Sequence, residues 1–145
     1  MPGLSDYVIG VRENGMAALA SVGLVKAATG EDADAREMGG SEMHASVSGL
    51  VEYLADTDAH ALATAREVVG RLGWRERTPS IPQESYEEPV HSPDELAGVV
   101  PTDYRIPYDV REVVARLVDG SDFLEFKPDY GPGTVCLQAA IMGID

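Results

Sequence analysis

Three histidines, one cysteine and a run of carboxylates are the side chains with chemical potential in this 145-residue sequence. A metal site needs ligands at short, repeated spacing, but His44 and His60 stand sixteen positions apart and His91 lies in a proline-rich stretch. They read as partly exposed polar histidines. Cys136 sits inside an apolar run, where a free thiol is a small buried hydrophobe rather than a nucleophile. Glu84, Glu87, Glu88, Asp94, Glu95 and Asp103 are numerous enough for paired acid–base work. Nothing apolar surrounds them to raise a pKa, so they read as a solvated face. Met16, Met38, Met43 and Met142 share no spacing and read as packing. No P-loop, dinucleotide glycine fingerprint or Gly-x-Ser-x-Gly elbow occurs. Side-chain chemistry alone presents no catalytic constellation; the informative pattern lies in whole segments.

Tyr7 to Val11 is a β-branched and aromatic run followed by the turn signal Asn14-Gly15, which predicts a strand with Met16 to Ala20 as its continuation or partner. Leu24 to Thr29 has room for about one and a half helical turns before Gly30 ends them. Gly39, Gly40 and Gly49 predict backbone packed closely against a neighbour. Val51 to Ala55 predicts a second strand. From Asp58 to Leu72 the pattern is helical. Thr57 is the N-cap, Asp58 favours the first turn, and Ala61, Leu62, Ala65, Val68, Val69 and Leu72 share one face up to Gly73.

Between Arg77 and Arg105 there is no Lys or Arg, while six acids and Pro79, Pro82, Pro89, Pro93 and Pro101 are present. This predicts an acidic, proline-rich linker over 78–92, with one domain portion at 1–77 and another at 93–145. Ser92-Pro93-Asp94-Glu95 predicts a capping box opening a short helix to about Gly98. Asp109 caps a further helix through Leu117, and Phe123 to Lys127 alternates as a half-buried strand does. Thr134 to Met142 is nearly continuous in apolar residues and predicts a central strand covered on both faces. That run stops at Gly143-Ile144-Asp145 and the first strand begins close to Met1, so the core is expected to be shared with sequence beyond both ends.

Eleven Lys and Arg against 25 Asp and Glu give a net charge of −14, which excludes duplex nucleic acid and anionic membrane as main partners. A hydrophobic share of 44% and a mean hydropathy of −0.12 describe a soluble globular chain. A single cysteine forms no internal disulfide, no apolar run approaches the roughly 20 residues of a membrane span, and the N-terminus carries no signal region. A cytoplasmic protein is expected.

Two long blocks carry a resemblance. Leu24-Val25-Lys26-Ala27-Ala28-Thr29-Gly30-Glu31, Met38-Gly39-Gly40-Ser41-Glu42-Met43-His44, Ser48-Gly49 and Asp56 to Ala61 form the first; Tyr108 to Lys127 forms the second. Together they resemble the carboxyltransferase (β) subunit of biotin-dependent acyl-CoA carboxylases, in forms closer to the methylcrotonyl-CoA or geranyl-CoA type than to the propionyl-CoA type. The resemblance implies an α/β, crotonase-like fold, with this chain holding the end of the first of two repeated domains and the start of the second. It implies transfer of a carboxyl group from carboxybiotin to an acyl-CoA. Biotin would be carried by a partner subunit rather than bound covalently here. The implied partners are acyl-CoA, a biotin carboxylase or biotin carrier subunit, and further copies of the parent chain.

Such chemistry leaves no mark in titratable residues, because backbone N–H donors at glycine-rich helix starts can stabilise the charge that develops on the thioester and urea oxygens. The family's oxyanion-hole glycine pair in the first domain lies just before the block matching Met1 to Tyr7, and the second pair lies beyond Asp145; the isolated chain is therefore expected to be inactive. By resemblance, Arg111 to about Val135 is the acyl-CoA region, with Arg111, Arg116 and Lys127 as its cations and Phe123 and Phe126 as its apolar contributors. Ser21-Val22-Gly23 departs from the Gly-Pro-rich turn of relatives. Two other readings remain: a biotin-dependent acyl-CoA decarboxylase subunit on the same scaffold, and a non-catalytic fragment that docks on a full-length carboxyltransferase.

Overall fold

The computed structural model describes residues 2–73 and 86–144, in two units. The first unit takes Met1–Trp74 with Lys127–Thr134, and the second takes Arg75–Phe126 with Val135–Asp145. Most of the acidic linker predicted for 78–92 lies outside the described residues.

In the first unit, β1 (Ile9–Val11) pairs in parallel with β2 (Tyr53–Ala55), with Ile9 opposite Tyr53 and Val11 opposite Ala55. Both strands are shorter than their apolar runs. Between them come α1 (Val22–Thr29), α2 (Ala35–Gly39) and α3 (Ser41–Met43), the last continuing into a wide π turn over His44–Ser48. Where relatives were expected to carry a Gly-Pro turn, Ser21 caps α1 by accepting the Leu24 N–H at 3.3 Å. Gly30 ends that helix in the left-handed region at φ 78°, its N–H bonded to the Lys26 carbonyl. Met16 to Ala20 forms no strand; only Met16 bridges to Gly40. The close approach of the two segments there needs Gly39, where a Cβ would sit 2.8 Å from the Ala17 carbonyl oxygen.

α4 (Asp58–Arg71) matches its sequence signature, with the Thr57 hydroxyl accepting the His60 N–H at 3.1 Å. It packs on β1 and β2. Of the predicted apolar face only Val68 is buried, joining Ala45, Val51, Tyr53 and Ala55, while Leu62, Val69 and Leu72 stay exposed. The Tyr7 and Tyr53 rings stack with centroids 6.3 Å apart.

In the second unit Ser92 caps a 3₁₀ turn, Pro93–Glu95, that leads into α5 (Leu96–Val99). α6 (Val110–Val114) starts on the Asp109 carboxylate and is shorter than the helix predicted through Leu117. The Arg116 and Leu117 N–H groups reach back only three residues, to Val113 and Val114, so the last turn tightens. β3 (Leu124–Phe126) pairs antiparallel with β4 (Cys136–Gln138), Phe126 opposite Cys136. The central strand predicted for 134–142 is thus replaced by three residues with a single strand partner, and Cys136, expected to be buried, is exposed.

Candidate functional site

The first unit carries an apolar cleft of about 880 Å³ lined by Pro2–Leu4, Met16–Ala20, Met38, His44 and Leu50. Its wall is held by a row of bonds between two segments. The Ser41 N–H donates to the Gly15 carbonyl at 3.1 Å, and the Ala17 N–H donates to Gly39 at 2.8 Å. The His44 imidazole Nε2 completes the row by donating to the Ala17 carbonyl at 2.6 Å, and its Nδ1 meets the Ser48 hydroxyl at 2.7 Å. A carbonyl only accepts, so Nε2 carries the proton, and the hydroxyl serves either state of Nδ1. The His44 imidazole is therefore committed on both nitrogens. Below the same wall, Glu42 accepts the Glu13 N–H at 2.8 Å, which holds its carboxyl below the usual range.

A second carboxylate lies outside the cleft lining. Glu52 is 9% exposed; one oxygen accepts the Val8 N–H at 2.6 Å and the other faces the Lys127 ammonium at 3.3 Å. Lys127 also donates to the Gly49 carbonyl at 2.6 Å. The Tyr130 ring lies over Gly49, where a Cβ would come within 3.3 Å of it, and Gly49 is left-handed at φ 68°.

The five residues marked by resemblance divide between the units. Lys127 belongs to the first, with the partners just named. Arg111, Arg116, Phe123 and Phe126 belong to the second. Arg111 forks onto Glu125, Nε to Oε2 at 2.6 Å and Nη2 to Oε1, and Nη1 reaches Asp109 at 3.3 Å. The Glu125 carboxylate raises the Arg111 pKa above the usual arginine value. Arg116 pairs with Glu112 at 2.9 Å and Glu95 at 2.8 Å, and the Glu112 bond chiefly raises its pKa. Glu95, expected to close the capping box of Ser92, serves Arg116 instead. Phe123 and Phe126 are half-buried on and beside β3. All three cations thus face carboxylates. Sequence reasoning missed those partners and His44, since only Glu112, four residues before Arg116, carries a local spacing signal.

Among the described residues no group of three or more His, Cys, Asp or Glu is gathered to hold a metal ion, and no helix is long and apolar enough to cross a membrane. Biotin fits the cleft poorly by its polar end. The urea oxygen wants free donors, and His44, the one polar side chain among the described residues that line the cleft, is already engaged. The apolar walls fit an aliphatic group better.

The family model of the carboxyl transferase domain matches residues 1–145. The probable biotin-dependent acyl-coenzyme A carboxylase beta2 subunit of Mycobacterium tuberculosis is 46% identical over 99% of this chain and 27% of its own length. The mitochondrial methylcrotonoyl-CoA carboxylase beta chain of Dictyostelium discoideum is 41% identical, over 99% of this chain and 24% of its own. A crystal structure of transcarboxylase 12S, described as a hexamer assembly with hydrolysed methylmalonyl-coenzyme A bound, matches with a TM-score of 0.81 at 31% identity, covering 99% of this chain and 28% of that one. This chain spans about a quarter of the length of the curated relatives it matches. Its architecture is the α/β, crotonase-like one of these carboxyltransferases. Matched along its whole length, the chain belongs to the carboxyl transferase domain family.

Proposed function

We propose that this chain is part of a carboxyltransferase that moves a carboxyl group from carboxybiotin to an acyl-CoA of the methylcrotonyl-CoA kind. The observation that carries the reading is the cleft, whose walls are apolar and whose single imidazole is committed on both nitrogens. Such a site holds an aliphatic group and offers no side chain for acid–base work, which suits a reaction whose charge is stabilised by backbone donors. Carboxybiotin supplies the carboxyl group and arrives on a partner subunit.

Residues 1–77 and 93–145 are taken as portions of the family's two domains, joined by the linker 78–92. Within the acyl-CoA region, Phe123 and Phe126 supply apolar surface, and Arg111 and Arg116 orient it through their carboxylates. The isolated chain is inactive in this reading and the parent protein works in the cytoplasm as a homo-oligomer.

The test is an assay of the intact parent with its biotin-carrying partner, bicarbonate and ATP. Biotin-dependent carboxylation of methylcrotonyl-CoA, faster than of propionyl-CoA, is expected. Net decarboxylation of a dicarboxylic acyl-CoA without carboxylation would replace this reading with the decarboxylase one. Turnover in neither direction, with the short chain co-purifying at fixed stoichiometry with a longer relative, would favour the docking fragment.

A further inference from the structure

We propose that Lys127 acts on the cleft through Glu52 and Gly49, as a positioning residue rather than as a ligand for phosphate. The contacts form one continuous path: Val8 N–H to Glu52, Glu52 to the Lys127 ammonium, and Lys127 to the Gly49 carbonyl. Both ends lie near cleft-lining residues in sequence: Val8 stands four residues after Leu4, and Gly49 lies between the π turn that carries His44 and the lining residue Leu50. Lys127 arrives from 78 residues away in sequence, at a left-handed φ of 54°, closed by a bond from the Tyr130 N–H to its own carbonyl.

Energetics support the assignment. The Glu52 side chain is only 10% exposed and that of Lys127 26%. A carboxylate so far out of water is strongly destabilising once its cation is removed. A phosphate recruiting Lys127 would have to strand Glu52, so the ammonium is committed to the protein. The path itself needs no ligand. Only the choice of probe below rests on the proposed function.

The decisive experiment is amide hydrogen exchange on the 145-residue chain. The Val8 amide is bonded to Glu52, so its response to a change at Lys127 reports transmission along the path. In Lys127→Met, exchange at Val8, Leu50 and Val51 is expected to quicken on the order of tenfold, the worth of one charge-assisted bond. Glu52→Gln should quicken Leu50 and Val51, the pair of changes should act as one, and Lys127→Arg should restore protection. Quickening at Leu50 and Val51 with Val8 unchanged would overturn the proposal. If Lys127→Met unfolds the chain, seen as lost protection across α4, the charge-free pair Lys127→Met with Glu52→Leu should recover α4; failure to do so also overturns it.

Binding of butyryl-CoA and its 3′-dephospho form adds a readout that a phosphate contact would move. Equal weakening of both in Lys127→Met is expected. Loss of the preference for the 3′-phosphate in Lys127→Met, with Glu52→Gln unaffected, would make Lys127 a phosphate ligand. If neither form binds the unaltered chain, the assay of the intact parent still decides the proposed function, and the exchange result decides the role of Lys127.

Discussion

At the scale of single residues, the carboxylates do more than the cations that resemblance singles out. Arg111 reads from sequence as a free positive charge, but its fork is filled by Glu125, fourteen positions away, and Lys127 is met by Glu52 from far earlier in the chain. Ion pairs across such distances have no spacing rule, which is why these partners were illegible in the sequence. Glu42 gives a testable case of a carboxylate bonded to backbone. It accepts the N–H of Glu13, a residue in the left-handed region at φ 59°, and its folded pKa is lowered mainly by that bond. A lowered folded pKa means that the unfolded chain takes up the proton first as pH falls. Glu42 therefore contributes stability above its ordinary value of 4.5, and the contribution is lost as pH drops through the lower folded value. Urea midpoints measured from pH 6 downward should converge for the native chain and Glu42→Gln at the acid end, having differed at pH 6; a constant gap would exclude this role.

At the scale of elements, what was legible is what is decided locally. α4 runs from Asp58 to Arg71 against a reading of Asp58 to Leu72, because its cap, first-turn acid and terminating glycine all lie within the helix or beside it. Ser21, Ser92 and Asp109 likewise cap where short-range chemistry puts them, the Ser21 cap emerging from a position that sequence marked only as a departure. Strands fared differently. The apolar run from Thr134 to Met142 specifies burial but not a partner, and the residues facing it settle the outcome at three paired positions. Met16 to Ala20 carries the same ambiguity and becomes cleft wall instead, pinned by Ala17 to Gly39 and His44. The cleft was for that reason invisible in sequence, since three separate segments make it. The capping argument for α4 predicts that Thr57→Ala costs about 1 kcal/mol in chemical denaturation. Thr57→Asp should keep most of that stability, as its carboxylate can accept the same N–H. Equal loss in both variants would mean that the threonine contributes packing rather than a cap.

At the scale of the whole molecule, charge and ligand chemistry meet. The chain carries a net −14, and a CoA ester brings roughly four further negative charges on its phosphates. Treated as point charges about 20 Å apart in water, the two repel by roughly 12 kcal/mol without salt, and by only about 1 kcal/mol at physiological ionic strength, where the screening length is about 8 Å. A cation-lined site would reverse that balance locally, yet Arg111, Arg116 and Lys127 each face carboxylates. Net repulsion should then control encounter, so binding of butyryl-CoA to this chain should strengthen as ionic strength rises from about 0.02 M to about 0.15 M, by roughly a few hundredfold on the same point charges. Titration calorimetry across that range checks the sign. Binding that weakens with salt would show that cations released from their carboxylates recognise the phosphates, and that the pairs on Arg111 and Arg116 open when the ligand arrives.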